Sequence, residues 1–595
     1  MRRAAIAALA AILVAAAAHA QPDPNKVLHV SFPIAETGMD PQAGGDAYSN
    51  YVNRAIFDPL YKYDYLARPY KLVPNTAAAL PDISPDGLTW TIRVKPGIYF
   101  ADDPAFKGKR RELTAYDYVF SIKRILDPRT RSNALTLVQG RFVGGDAAVA
   151  KATATGKFDY DAPIQGLRAL DRFTIRFELN FPDYELLANL TGTNTAAVAR
   201  EVIEAYGDAS GWAMANPVGT GPYKLKDWRR GQRIVLTPNP GFRDERYPKA
   251  ADAADRALAA KLEGRRLPLI GQIEIGIIEE SNPRLLAFQK GSLDFVAVPV
   301  DLVPKVLETD NTLRPEFASK GVRLYRDVLP AISYLYFNME DPVAGGYTPD
   351  KIALRRAIAM AYNIDDDIRV LRQGQGAVAT QIVPPGMSGY DPALDVRTKY
   401  DVAGARALLE KFGYRDRDGD GFREAPDGKP LTIYMASPPS TQDRQGDELW
   451  QRGLNSIGLR VEFVKQKWPD LLKMARLGQL QAWRLGNINT TPEGFGFYGL
   501  LYSKNAGFSN LARFNLPEYD RVYEKTRSLP DTPERTRELR RLSELVNVYA
   551  PWVLLAFRVE NVIVQPWVLG YKNNPTYQYP FPYLDIDTAR RDAAN

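Results

Sequence analysis

The amino-acid sequence predicts an α/β protein built from more than one domain. Three observations carry this. Runs in which apolar residues alternate with polar ones, the period of a strand with one buried face, recur from Val27 to Phe557. Segments with apolar residues at helical spacing, such as Ile352, Ile358 and Ala361, lie between them. A chain of 595 residues with 45% hydrophobic content is also long enough for two or three domains, each with its own core.

Met1 to Ala20 carries Arg2 and Arg3, then an apolar run from Ala4 to Ala18, then Ala18-His19-Ala20 before Gln21. A positive start, an apolar stretch too short to span a bilayer and an A-x-A site predict a secretory signal cleaved after Ala20. The chain has no cysteine, so the mature start cannot be lipidated as a lipoprotein's is, and disulfides, thiolate metal sites and cysteine nucleophiles are excluded. A soluble, monomeric protein of a Gram-negative periplasm is expected. The net charge of +7 is interleaved along the chain, whereas nucleic-acid binding needs a concentrated basic face, so no nucleic-acid partner is expected.

In chain order, Val27 to Val30 reads as a strand leading into Glu36 and the pair Asp40-Pro41. Tyr51 to Tyr63 begins as a helix. Leu88, Trp90, Ile92 and Val94 alternate after an Asp86-Gly87 turn, and Thr114 with Asp117 predicts a capped helix that runs through Leu126 and stops before Pro128. Phe173, Ile175 and Phe177 share one face of a strand. Asn216 to Phe242, NPVGTGPYKLKDWRRGQRIVLTPNPGF, predicts a hairpin turning at Gly231, with Gly219 and Gly221 supplying turn chemistry. Ile273 to Ile278 is a buried strand, Arg284 to Phe295 a helix ending in a turn with Gly291 as its C-cap, and Ser333 to Asn338 a further strand. Val461 to Ala482 reads as strand then helix, and Pro533 to Asn547 as a charged helix.

The wording of these segments adds to their periodicity. G-T-G-P-Y-x-L with N-P-x-F, S-P-D-G-L-T-W-T-I-R-V-K-P-G-I-Y-F (84–100), T-A-Y-D-Y-V-F-S (114–121) and Y-A-P-W-V-L-L (549–555) resemble, in order, motifs of the family 5 extracytoplasmic solute-binding proteins of ABC importers. The resemblance implies a two-lobed periplasmic-binding-protein-like fold of type II, cluster C, with an extra inserted domain. Lobe I is expected from 27–47, 170–331 and 556–595, the inserted domain from 48–169, and lobe II from 332–555. It implies a receptor that captures peptides or a peptide-like solute and delivers it to an inner-membrane ABC permease complex, without a cofactor.

By the same resemblance Glu36, Trp468 and Trp483 line the cleft; Asn338 is a further candidate, Asn489 and Tyr498 offer an amide and an aromatic ring in the run 486–502, and Arg484 and Gly486 stand where the family motif is departed from. Peptide receptors of the family carry G-W-x-x-D, the aspartate pairing with the ligand's α-ammonium. Here the run is Ala482-Trp483-Arg484-Leu485-Gly486. Glu36 or Glu493 could replace the aspartate. Alternatively Arg484 marks an anionic or amine-blocked solute such as an opine, organic acid or modified peptide, which a guanidinium binds as a fork.

Asp416, Asp418, Asp420 and Asp427 fall at positions 1, 3, 5 and 12 of a calcium-type loop, but Arg423 and the short Asp427 depart from that pattern and a plain acidic turn is the preferred reading. Past the signal the only histidine is His29, so a catalytic triad or a histidine metal cluster cannot be built and no enzyme is expected. A two-carboxylate glycosidase is the remaining alternative, which a chromogenic glycoside tests.

Overall fold

The computed structural model describes residues 22–43, 46–489, 491–574 and 577–594; the predicted signal, 1–20, lies outside them. Strand β1 (Val27–Phe32) starts the chain, and helix α1 (Ala47–Ile56) follows with Asp46 as its N-cap. The chain then builds a separate four-stranded sheet from β2 (Asp82–Ile83), β3 (Thr89–Arg93), β4 (Leu167–Ala169) and β5 (Thr174–Glu178) in the order β2-β3-β5-β4, covered by α2 (Ala115–Leu126). The predicted cap on α2 is present: Asp117 Oδ2 accepts from Thr114 N at 2.7 Å and from Thr114 Oγ1 at 2.8 Å.

The expected boundary at 170 is corrected here. Thr174–Glu178 pairs with both β3 and β4, so it is an inner strand of the inserted unit, not a return to lobe I. The core of that unit runs from Leu60 to Val202, with Val218. Alternation showed a half-buried strand but not which sheet it joins, because pairing partners are set in three dimensions. Helix α1, expected in the inserted domain, instead buries Val52, Ala55 and Ile56 in the core of lobe I.

Back in lobe I, the hairpin is β6 (Tyr223–Arg229) and β7 (Arg233–Pro238), turning at Gly231 with φ +68°. With β8 (Gln272–Ile277) it completes the sheet β1-β8-β7-β6, in which β1 and β8 are parallel. Gly219 and Gly221 do not take up positive φ. They are glycines because the chain there lies against the end of α1: a Cβ on Gly219 would stand 2.0 Å from Ile56 O, and one on Gly221 2.7 Å from it.

Helix α3 (Ser281–Gln289) ends at Gly291 (φ +73°) and leads to β9 (Phe295–Val298). The long strand β10 (Arg323–Phe337) then crosses into lobe II. There follow α4 (Pro349–Ala361), β11 (Gly376–Val378), β12 (Thr432–Ser437), α5 (Thr441–Ser456), β13 (Arg460–Lys465), α6 (Trp468–Arg476), β14 (Ala482–Ile488) and α7 (Pro533–Tyr549). Strand β15 (Trp552–Val564) crosses back. The sheet order is β9-β15-β10-β14-β12-β13, with β11 also on β15.

The two crossing strands join the lobes. Their register holds from Arg323↔Val564 to Val328↔Val559, slips, and resumes at Ile332↔Phe557. Pro330, which lacks an N–H, sits in the slip, so the ladder is interrupted where the lobes meet. Lobe II has a core on each face of this sheet: Tyr334 and Tyr336 point into one, Leu335 and Phe337 into the other.

Candidate ligand-binding cleft

In lobe II, β12 and β13 are parallel and end at Ser437 and Lys465. Crevices at the carboxyl ends of parallel strands, beside helix N-termini, are the usual binding places of open α/β sheets. Helices α5 and α6 begin there. Strand β14 reaches further: β12 pairs it only at Met435↔Ala482 and Ala436↔Trp483, while β10 pairs it as far as Ile488. Among the described residues no strand occupies the other edge of β14 from Arg484 to Ile488, which leaves backbone donors and acceptors free. Trp468, at the start of α6, is 54% exposed at this end of the sheet, with its ring 6.1 Å from Trp483.

In lobe I, the carboxyl end of β1, strand β9 and strand β15 border a cavity of about 300 Å³ whose lining includes Ser31, Tyr48, Arg284, Glu560, Gln578 and Tyr579. Tyr571 lines it and also a second cavity of about 610 Å³ that reaches across the crossing strands to Pro330 and Met387 of lobe II. The cleft between the lobes is therefore continuous with the break in register.

The predicted site residues separate into three groups. Trp468, Gly486 and Asn489 stand where a ligand could meet them: Gly486 is exposed on the free edge, and Asn489 lines a space of about 530 Å³ between lobe II and the inserted unit, its Nδ2 donating to Glu493 O at 2.8 Å. Trp483 is buried in the lobe II core behind Trp468 and supports it.

Four residues are internally committed, which corrects the expectation for them. Glu36 is buried beneath the β6–β7 hairpin, where it accepts from Trp228 Nε1 and from Gly231 N at 3.0 Å. Asn338 closes a turn, donating to Gly478 O at 3.0 Å and accepting from Glu340 N. Tyr498 is in the core, bonded to Ser543 Oγ at 2.7 Å. Arg484 is not a free fork: it lies against Gly446 and pairs with Asp443 in the first turn of α5 at 3.2 Å.

Of the calcium-loop candidates, Asp416, Asp418 and Asp420 gather with carboxylate oxygens within 4.8 Å of one another. Asp427 does not join them and pairs instead with Lys429, while Asp420 pairs with Arg460. Glu493, the other proposed substitute for the missing aspartate, receives a bond from Tyr63 of the inserted unit at 3.3 Å, and burial raises its pKa.

The residues that sequence reasoning missed are Glu560, Arg284 and Gln578. Glu560 accepts from Gln578 Nε2 at 3.2 and 3.3 Å. Burial pushes its carboxyl up to about 7, against the pull of Arg558, with Asp327 adding to the rise. The signal was present: Arg558, Glu560 and Asn561 interrupt an otherwise apolar strand, and charge within a buried strand calls for a reason.

Asp40 of the Asp-Pro pair was missed as well. Its two oxygens accept from Arg124 of α2 at 3.1 and 2.6 Å, both side chains being almost wholly buried, so it ties lobe I to the inserted unit.

The model of bacterial extracellular solute-binding proteins, family 5 middle, matches residues 71–509. The chain belongs to this family. Among curated solute-binding proteins it is 25% identical to di/tripeptide-binding protein 2 of Pseudomonas aeruginosa over 596 residues, covering 97% of this chain and 98% of that one. It is 26% identical to heme-binding protein A of Haemophilus influenzae over 510 residues, covering 85% and 83%. Among solved structures, the periplasmic binding protein DppA of Helicobacter pylori in complex with the peptide STSA superposes with a TM-score of 0.68 at 24% identity, over 94% of this chain and 98% of that chain. The two-lobed type II fold is thus shared. In this solute-binding protein no described helix is long and apolar enough to cross a membrane.

Proposed function

We propose that this solute-binding protein is the periplasmic receptor of an ABC importer, capturing a short peptide or peptide-like solute between its lobes and handing it to an inner-membrane permease complex. The observation that carries the reading is the free edge of β14 from Arg484 to Ile488, which begins next to Trp483, against which the exposed Trp468 packs. An extended peptide adds to such an edge through its main chain, which is how one site accepts many side chains. The peptide-binding names among its relatives agree with this. Contacts to both lobes would supply the free energy of closure, with the break in register at Pro330 as the bending point. Trp468, Gly486 and Asn489 form the lobe II wall in this reading, and the signal that directs export is then cleaved after Ala20.

Native mass spectrometry of protein purified from periplasm, followed by identification of the solute released on denaturation, tests it. Short peptides are expected. A porphyrin or a single amine-blocked acid would overturn the peptide reading.

A further inference from the structure

We propose that the lobe I cavity is a zwitterion subsite in which Glu560 takes the ligand's ammonium and Arg284 its carboxylate, so that the solute is of amino-acid to dipeptide size. This deepens the receptor reading and rests on it.

Arg284 is 6% exposed, and its guanidinium meets only neutral acceptors, Ile278 O at 3.3 Å and Ser281 Oγ at 3.5 Å. Glu560 accepts only from the neutral amide of Gln578, which Tyr51 in turn holds by a hydrogen bond to its Oε1. Among the described residues neither charge has an opposite charge within 4 Å, although both line the same cavity of about 300 Å³. Tyr48 and Tyr579 sit near enough to feel both, the guanidinium lowering and the carboxylate raising the pKa of each hydroxyl. The other charges facing Glu560 are Arg558 of β15 and Asp327 of β10.

A half-buried charge without a counter-charge is costly, and two of opposite sign left apart in one cavity are satisfied together by a single molecule carrying both. A ligand with an ammonium alone would leave Arg284 unpaired, and an amine-blocked acid would leave Glu560 unpaired. The volume is at the small end of ligand pockets, which bounds the length. The anion that Gly486 lacks on lobe II is thereby supplied from lobe I.

The test is isothermal titration of ligand-stripped protein at pH 8 with the twenty amino acids and twenty Ala-Xaa dipeptides, each free, N-acetylated and C-amidated. At least one free form is expected to bind while its two blocked forms bind at least 100-fold more weakly. Glu560→Gln should weaken the free form at least 100-fold, and Arg284→Lys about tenfold, with the circular dichroism of both variants unchanged. The proposal falls if a blocked form binds as well as its free parent, if Glu560→Gln binds unchanged, or if no member of the panel binds. Tetra- to hexa-alanine peptides binding wild type and both variants equally would remove the subsite and leave the peptide receptor standing. Wild type that binds no peptide of any length would remove both.

Discussion

Replacing Glu560 by Gln should make the ligand-free protein more stable at alkaline pH while leaving it unchanged in acid. The carboxyl titrates at about 7 in the folded protein against an ordinary 4.5, because burial disfavours its charged form. Between those values the folded protein holds a proton that the unfolded chain has released, so stability falls as pH rises through the window from about 4.5 to 7. At about 1.4 kcal/mol per pKa unit the full loss is about 3 kcal/mol, and solvent entering by the cavity mouth leaves about 1–3 kcal/mol. Gln keeps the shape and a bond to Gln578 but carries no charge, so the variant escapes this loss. Urea unfolding of wild type and variant, both stripped of co-purified solute, at pH 4.5, 6, 7 and 8 measures it. The midpoints should coincide at pH 4.5 and separate progressively up to pH 8. A difference of constant size across that range, or a variant less stable at pH 8, would refute the reasoning.

Arg484→Ala should change affinity for peptides less than threefold, by titration calorimetry, because its guanidinium is already committed to Asp443. Gly219→Ala should cost about 1–3 kcal/mol or more in denaturant unfolding, since the new methyl meets the backbone of Ile56 and not a side chain that could move aside. Asp40→Asn should cost about 3–5 kcal/mol, read in a thermal melt, by leaving the buried Arg124 without its carboxylate. Tyr498→Phe should cost about 1–2 kcal/mol of stability through the stranded Ser543 hydroxyl while leaving solute affinity unchanged.

Much of the architecture was legible in the chain because it depends on local chemistry. The hairpin turning at Gly231, the Thr114–Asp117 cap and the Gly291 stop each need particular residues within a few positions of one another. The candidate cleft was less legible. Trp468 is exposed, whereas Glu36, Asn338 and Tyr498 are taken up by internal bonds. Nothing in their spacing shows this, because their partners Trp228, Gly478 and Ser543 are distant in the chain or lie across a sheet.

By itself, then, the sequence determined most element types, their order, and the capping and turn residues. Only the tertiary structure decided which sheet Thr174–Glu178 enters, that Gly219 and Gly221 serve close approach to α1, and that Arg484 is spent on Asp443 while Arg284 and Glu560 share a cavity unpaired. The reason is physical. Caps, turns and periodicity act within one or two turns of chain, whereas pairing, desolvation and the presence or absence of a counter-charge are properties of neighbours brought together by folding, as Arg284 and Glu560 are around one cavity from distant parts of the chain.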